Sequence, residues 1–106
     1  GDGGAIRDFA PAAAVAEATA PAVEQAKPGH FATYNVGATP ASVAQIIATV
    51  EKVAGARLPV RHDPPAPEAP ELRADTSRIR CELDWQPKHS SLEQIIEDAW
   101  AAARGL

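Results

Sequence analysis

The cysteine and histidine side chains of this sequence, which could bind a metal ion or take part in nucleophilic catalysis, are few and scattered. They are one cysteine and three histidines: Cys81, His30, His62 and His89. No two of them have a Cys-x-x-Cys or His-x-x-x-His spacing, the patterns that bring ligands together on a turn or on one helix face. No nucleophile, base and orienting acid can be proposed from the pattern either. The sequence therefore predicts no metal site and no catalytic residue, and surface histidines with a structural thiol are the simpler interpretation.

Two further features look like parts of a nucleotide site but lack the context of one. The glycines of residues 1–4 are not preceded by a predicted strand, which a phosphate-binding turn at the start of a helix requires. Tyr34 is the only tyrosine, and no lysine lies four residues beyond it. We therefore expect no cofactor-binding residue in this chain, and we expect residues 1–4 to form a turn.

Length and charge restrict the classes of protein further. A chain of 106 residues and 11.1 kDa allows one domain with a modest core. Its net charge of -4, without a basic run, argues against nucleic acid as a partner. Its apolar runs are too short and too interrupted to span a membrane, and a single cysteine fits a reducing compartment. These features predict a soluble, cytoplasmic protein.

Helical patterns dominate the elements that must position any site. Alanine-rich residues 12–26 predict a helix, and Pro21 predicts a kink or break in it near residues 18–20. Ser42 and Gln45 have the spacing of a capping box and predict a helix that ends at Gly55.

Two more helices are predicted in the last third of the chain. The first covers residues 76–83, with Asp75 as N-cap and with Ile79 and Leu83 facing inward. The second begins at residue 90 or 91 and ends near Arg104, with an apolar side that includes Trp100.

The strand signals are weaker. Residues 30–36 are rich in aromatic and β-branched side chains, and residues 58–60 have the pattern of an edge strand that contains a proline. Four prolines make residues 63–71 a proline-rich, extended loop. The order of elements predicts an α+β fold with about four helices and two or more short strands, in one domain from residue 1 to 106.

Several short segments, in this order, resemble the C-terminal substrate lobe of UDP-glucose 4-epimerase and related NAD-dependent nucleotide-sugar epimerases and dehydratases. Those enzymes form part of the extended short-chain dehydrogenase/reductase family. The matching segments are Gly-Asp-Gly-Gly-Ala-Ile-Arg-Asp-Phe at 1–9, Tyr-Asn-Val-Gly at 34–37, Ser-Val at 42–43, Ala-Asp-Thr-Ser-Arg at 74–78, Glu-Leu-Asp-Trp-Gln-Pro at 82–87 and Ser-Leu-Glu-Gln-Ile-Ile at 91–96. The resemblance implies a substrate lobe without the Rossmann domain, which in the family binds NAD.

The resemblance also implies substrate contacts for this chain. Arg7 matches an arginine that binds the diphosphate of the UDP-sugar, and a guanidinium suits that role because it forms bidentate hydrogen bonds with phosphate oxygens. Phe9 replaces a tyrosine of the same motif, and Val43 matches an apolar contact to the nucleotide. Without the resemblance, Arg7 is more simply a solvated arginine and Val43 a buried residue at a helix start.

Two departures from the family pattern bear on function. Residues 65–68 replace a segment that contains a second phosphate-binding arginine, and only its acidic residue is kept, as Glu68. Loss of one cation from a diphosphate site weakens binding by about 1.5–3 kcal/mol. Residues 10–14 replace a polar segment that lies toward the cofactor domain in the family.

Two hypotheses follow for the function. The first is a UDP-sugar-binding lobe of a UDP-glucose 4-epimerase-like protein that is inert by itself, because the NAD-binding half is not in this chain. The second is a stand-alone, non-catalytic module for binding or protein interaction, derived from that lobe. Under either hypothesis we expect exposed apolar surface to drive self-association or docking to a separate cofactor-domain polypeptide.

Overall fold

A computed structural model describes residues 1–88 and 90–105 of the chain. It contains two strands and four helices. In chain order these are β1 (Ile6–Phe9), α1 (Ala12–Glu24), β2 (Thr39–Ser42), α2 (Val43–Ala54), α3 (Ser77–Leu83) and α4 (Leu92–Arg104). The predicted α+β fold with four helices and two strands is therefore confirmed.

The two strands are not the segments that the sequence pattern favoured. β1 pairs antiparallel with β2, with Arg7 opposite Ala41 and Phe9 opposite Thr39. Residues 30–36 and 58–60 form neither strand nor helix, so both strand predictions are wrong. A β-rich composition gives a strand only where a neighbour supplies hydrogen bonds and packing, and β1 finds its partner in residues 39–42 instead.

One core is formed by α1, α3 and Trp85, which lies two residues beyond the end of α3. Ala14 and Ala18 of α1 are buried against Ile79 and Leu83 of α3 and against Trp85. Each alanine contributes only a methyl group to this core, so Ile79, Leu83 and Trp85 supply most of its volume. The prediction that Ile79 and Leu83 face inward is confirmed.

Helix α1 continues through Pro21, so a break near residues 18–20 is wrong, while the alternative of a kink there stays a prediction. Pro21 cannot donate a backbone hydrogen bond, but it lies in the last turns of the helix, and the helix closes beyond it through a bond from Gln25 N–H to the Pro21 carbonyl at 3.0 Å. Packing of Ala14 and Ala18 in the core fixes the turns that precede the proline.

Helices α2 and α4 begin at the predicted caps and pack against each other. Ser42 Oγ accepts a hydrogen bond from Gln45 N–H at 3.1 Å while the Gln45 side chain accepts one from Ser42 N–H at 2.8 Å, which is the capping box. α2 ends at Gly55, whose φ of 69° is left-handed as predicted. Ser91 caps α4 by accepting a hydrogen bond from Gln94 N–H at 3.2 Å.

Helix α3 begins one residue later than predicted, because Thr76 rather than Asp75 is at the N-cap position. Asp75 still supplies the capping oxygen. Its Oδ1 accepts hydrogen bonds from Ser77 N–H at 3.0 Å and from the Ser77 hydroxyl at 2.6 Å.

None of the helices in the described residues is long and apolar enough to cross a membrane.

Candidate substrate-binding site

Arg7 lies on β1 with its guanidinium held from one side by backbone carbonyls. Nη1 donates to the Ile6 carbonyl at 2.7 Å and to the Ala69 carbonyl at 3.1 Å, and Nη2 lies 3.4 Å from Glu68 Oε2. The side chain is 29% exposed, so it is both fixed and accessible. The Nε–H group and the second N–H group of Nη2 have no hydrogen-bond partner among the described residues.

Glu68 reaches Arg7 because the end of the proline-rich segment runs beside β1. Ile6 N–H donates to the Pro70 carbonyl at 2.9 Å and Leu72 N–H donates to the Ile6 carbonyl at 2.9 Å, which forms an isolated parallel bridge between Ile6 and Glu71. Pairing at residues 70–72 thus fixes the position of residues 68 and 69. Two residues that are far apart in sequence, Arg7 and Glu68, are brought together by this pairing.

Phe9 lies on β1 with Arg7, and Val43 is the first residue of α2, directly after β2. Phe9 is two residues beyond Arg7 on β1, so both side chains point to one face of the strand. Val43 N–H donates to the Ala5 carbonyl at 3.1 Å, at the other end of the strand. Val43 is 42% exposed, so it is not the buried helix-start residue of the alternative interpretation.

Asp8 is a residue of this region to which the sequence analysis assigned no role. Its Oδ1 accepts a hydrogen bond from Ala38 N–H at 3.0 Å, and its Oδ2 accepts one from Ala74 N–H at 3.1 Å. Asp8 therefore ties β1 to the segment before β2 and to the segment before α3. The signal that could have revealed it is its place beside Arg7 in the Arg-Asp pair, where alternation along the strand puts it on the opposite face.

The arrangement brings together groups that suit an anionic ligand. Arg7 offers a planar, permanently charged donor, Glu68 offers an acceptor for a hydroxyl group, and Phe9 and Val43 offer apolar surface. Tyr34 is elsewhere, where its hydroxyl lies 3.3 Å from Glu82 Oε1. Within the described residues, no group of three or more His, Cys, Asp or Glu side chains could hold a metal ion.

Comparison with known proteins finds UDP-sugar 4-epimerases among the relatives of this chain. UDP-arabinose 4-epimerase 1 of Arabidopsis thaliana is 33% identical over 101 residues, which cover 93% of this chain and 24% of the relative. UDP-glucose 4-epimerase of Corynebacterium glutamicum is 33% identical over 107 residues, which cover 99% of this chain and 32% of the relative. The chain thus spans about a quarter to a third of the length of these relatives. No protein-family model matches it.

Solved structures agree with the sequence relatives. UDP-glucuronic acid 4-epimerase from Bacillus cereus in complex with NAD matches with a TM-score of 0.84 and 27% identity, over 100% of this chain and 32% of the enzyme. UDP-glucose 4-epimerase from Stenotrophomonas maltophila, with bound NAD and formylated UDP-arabinopyranose, matches with a TM-score of 0.83 and 28% identity, over 99% of this chain and 33% of that one.

The fold is therefore that of one lobe of the extended short-chain dehydrogenase/reductase epimerases. Within that class, the sequence relatives are UDP-sugar 4-epimerases, and the chain resembles their C-terminal substrate lobe. The resemblance read from the sequence motifs is confirmed.

Proposed function

We propose that this lobe binds the diphosphate of a UDP-sugar through Arg7 and is catalytically inert in isolation. The observation that carries the proposal is the fixed but accessible guanidinium of Arg7, which keeps donors available on the side away from its two backbone partners. A cation held in this way loses little side-chain entropy when an anion binds. Phe9, Val43 and Glu68 complete the proposed contact surface.

Relatives support the choice of ligand. A structure of the Bacillus cereus enzyme, 27% identical to this chain, contains UDP-glucuronic acid and NAD. Arg7 is the residue of this chain that the family resemblance matches to a diphosphate-binding arginine. NAD is proposed for a cofactor domain beside the lobe, not for the lobe, because the glycines of residues 1–4 precede a strand and not a helix.

Titration of the isotope-labelled chain with a UDP-sugar tests the binding. We expect NMR shifts at Arg7, Phe9 and Val43, with weak affinity because the position of a second arginine is occupied by Pro65. Arg7→Gln should abolish these shifts, whereas Arg80→Gln, on the surface of α3, should leave them intact. No shifts at the three residues with the unaltered chain would overturn the proposal.

Inertness has its own test. The pure chain, incubated with NAD and UDP-galactose, should give no UDP-glucose. Turnover by this chain would show that the residues for hydride transfer and proton transfer are present after all.

The second candidate function is a non-catalytic interaction module. It is favoured by Glu68, which already occupies part of the Arg7 guanidinium, and by the apolar residues that remain exposed, including Val23 at 69%. Binding of a UDP-sugar separates the two candidates, because the module requires none. The cytoplasmic location stays a prediction under both.

A further inference from the structure

A cavity lies on another part of the lobe and shares no lining residue with the Arg7 site. It has a volume of about 580 Å³ and is formed by the C-terminal end of α1, the segment that follows it and one side of α3. Pockets for small organic molecules have volumes of about 300–1,000 Å³. The size of this cavity therefore suits a small ligand.

One wall of the cavity is a connected set of three polar side chains. Glu82 Oε2 accepts a hydrogen bond from Arg78 Nε at 2.6 Å, and Glu82 Oε1 lies 3.3 Å from the Tyr34 hydroxyl. Arg78 Nη1 also donates to the Thr33 carbonyl at 3.2 Å, and its guanidinium carbon lies 5.2 Å from the centre of the Tyr34 ring. Both oxygens of Glu82 are thereby engaged, while Nη2 of Arg78 has no partner among the described residues.

The rest of the lining includes Lys27, the neutral polar residues Gln25 and His30, and several apolar residues. Lys27 contributes an ammonium group and His30 an imidazole, and neither forms an ion pair within residues 1–88 and 90–105. Ala22, Ala26 and other small or apolar side chains line the cavity beside them. The charged side chains that line the cavity are Lys27, Arg78 and Glu82, so its net charge is positive although the chain carries -4.

Phe31 gives this cavity a feature that packing within the lobe does not explain. Its side chain lines the cavity and yet is 91% exposed. The lining of the cavity thus contains an exposed aromatic ring as well as an arginine that lies against a tyrosine, and both are surfaces on which a planar group can stack. The Arg78–Glu82 pair alone could serve to stabilise α3, but that role does not account for Phe31 or for the unpaired Lys27.

We propose that this cavity binds a planar aromatic molecule that carries one anionic group, a carboxylate or a phosphate. The anionic group contacts Lys27 and the unoccupied Nη2 of Arg78. The ring lies against Phe31 and the methyl groups of Ala22 and Ala26.

Titration with 2-naphthoate, followed by NMR, tests the proposal. We expect shifts confined to residues 22–34 and 78–83. The uncharged analogue 2-naphthamide should bind about tenfold more weakly, because it lacks the charge-assisted hydrogen bonds. Phosphate and acetate, which lack the ring, should produce no comparable shifts.

Variants of the chain test separately the contacts proposed for the anionic group and those proposed for the ring. Lys27→Gln and Arg78→Gln should each weaken binding of 2-naphthoate about fivefold or more and reduce the advantage of the acid over the amide. Phe31→Ala should weaken both ligands alike. Arg80→Gln, on the same helix but outside the cavity, is the matched control for Arg78 and should change nothing.

Two results would overturn the proposal. One is equal affinity of the unaltered chain and Lys27→Gln for 2-naphthoate, a comparison that stays decisive if Arg78→Gln disturbs α3. The other is a set of shifts centred on a different, apolar groove between α2 and α4, which is lined by Val50, Val53, Ile96 and Trp100. Arg7→Gln should leave binding of 2-naphthoate unchanged. The proposal for this cavity and the proposal for the UDP-sugar site are therefore tested independently of each other.

Discussion

At the scale of single residues, the neighbours of Arg7 decide what its charge can do. Glu68 Oε2 lies 3.4 Å from Nη2, an ion pair in which both side chains remain partly exposed. Such a pair contributes about 0.2–1 kcal/mol. It competes with a phosphate for the same donor, and its negative charge also repels a diphosphate.

Glu68→Gln should therefore strengthen binding of a UDP-sugar, by about two- to fivefold, because the amide keeps an acceptor oxygen for a hydroxyl group while the competing charge is lost. Titration calorimetry or NMR measures the change. Glu71→Gln is the control. It removes the same charge from the same segment, but the ion pair of Glu71 is with Arg73 and not with Arg7. Weaker binding by Glu68→Gln would mean that the carboxylate is needed as an acceptor.

The position of the Asp8 carboxylate restricts which residue type fits at position 37. A Cβ added at Gly37 would overlap the Asp8 carboxylate and lie 2.9 Å from the Ala74 Cβ. The absence of a side chain at residue 37 therefore lets Asp8 reach the backbone of both neighbouring segments.

Gly37→Ala should destabilise the lobe by about 1–3 kcal/mol, the usual cost of forcing extra atoms into a packed site. Chemical denaturation measures the loss. Gly1→Ala is the control, because no atom lies within 4 Å of a Cβ added there. Equal stability of the two variants would contradict the role assigned to Asp8.

At the scale of elements, the sequence predicted the helices better than the strands. The capping box at Ser42 and the left-handed glycine at residue 55 are local chemical signals, and both were found in the structure. β1 and β2 have only four residues each and depend on pairing between segments far apart in the chain. No local pattern specifies such pairing, which is also why the contact between Arg7 and Glu68 could not be derived from composition or spacing.

The cap of α3 makes the stability of that helix depend on pH. The Ser77 hydroxyl and backbone N–H lower the pKa of Asp75 in the folded chain, because both donate to its ionised form. A group whose pKa is lowered by folding stabilises the protein above its unfolded pKa, and that contribution is lost as the pH falls through the folded pKa.

Asp75→Asn should therefore reduce stability at neutral pH and have little effect in acid, below the lowered pKa of Asp75. Chemical denaturation of the unaltered chain and of Asp75→Asn across the acidic range measures the free energy of unfolding of each. The difference between the two free energies should become smaller as the pH falls. Asp84→Asn is the control, since Asp84 has a left-handed φ of 51° that asparagine also tolerates. If the difference in free energy of unfolding stays constant with pH, the ionised carboxylate of Asp75 does not contribute to stability.

At the scale of the whole molecule, the lobe is flatter and more open than a compact protein of its size. Its radius of gyration is 16.8 Å, and its extents are 53 × 36 × 20 Å. A compact chain of this length has a radius of gyration of about 13 Å. Its accessible surface of 7663 Å² exceeds by about 2,000 Å² the area expected for a compact monomer of this mass.

That excess is comparable to what one partner contributes to a large, stable protein interface. Val15 and Val23 are part of it, since they are 47% and 69% exposed on α1. They are eight residues apart and thus lie on one side of the helix. This side of α1 is the surface from which we expect association to arise.

The isolated chain should self-associate as its concentration rises, because burial of this surface is favourable at roughly 25 cal/mol per Å² of apolar area. Sedimentation velocity over a range of concentrations measures it. Replacing both Val15 and Val23 with serine should shift the association to higher concentration, whereas Val60→Ser should not, because Val60 is also 47% exposed but lies in a segment outside the helices. A single monomeric species at high concentration would mean that the open shape of the lobe does not by itself create a binding surface.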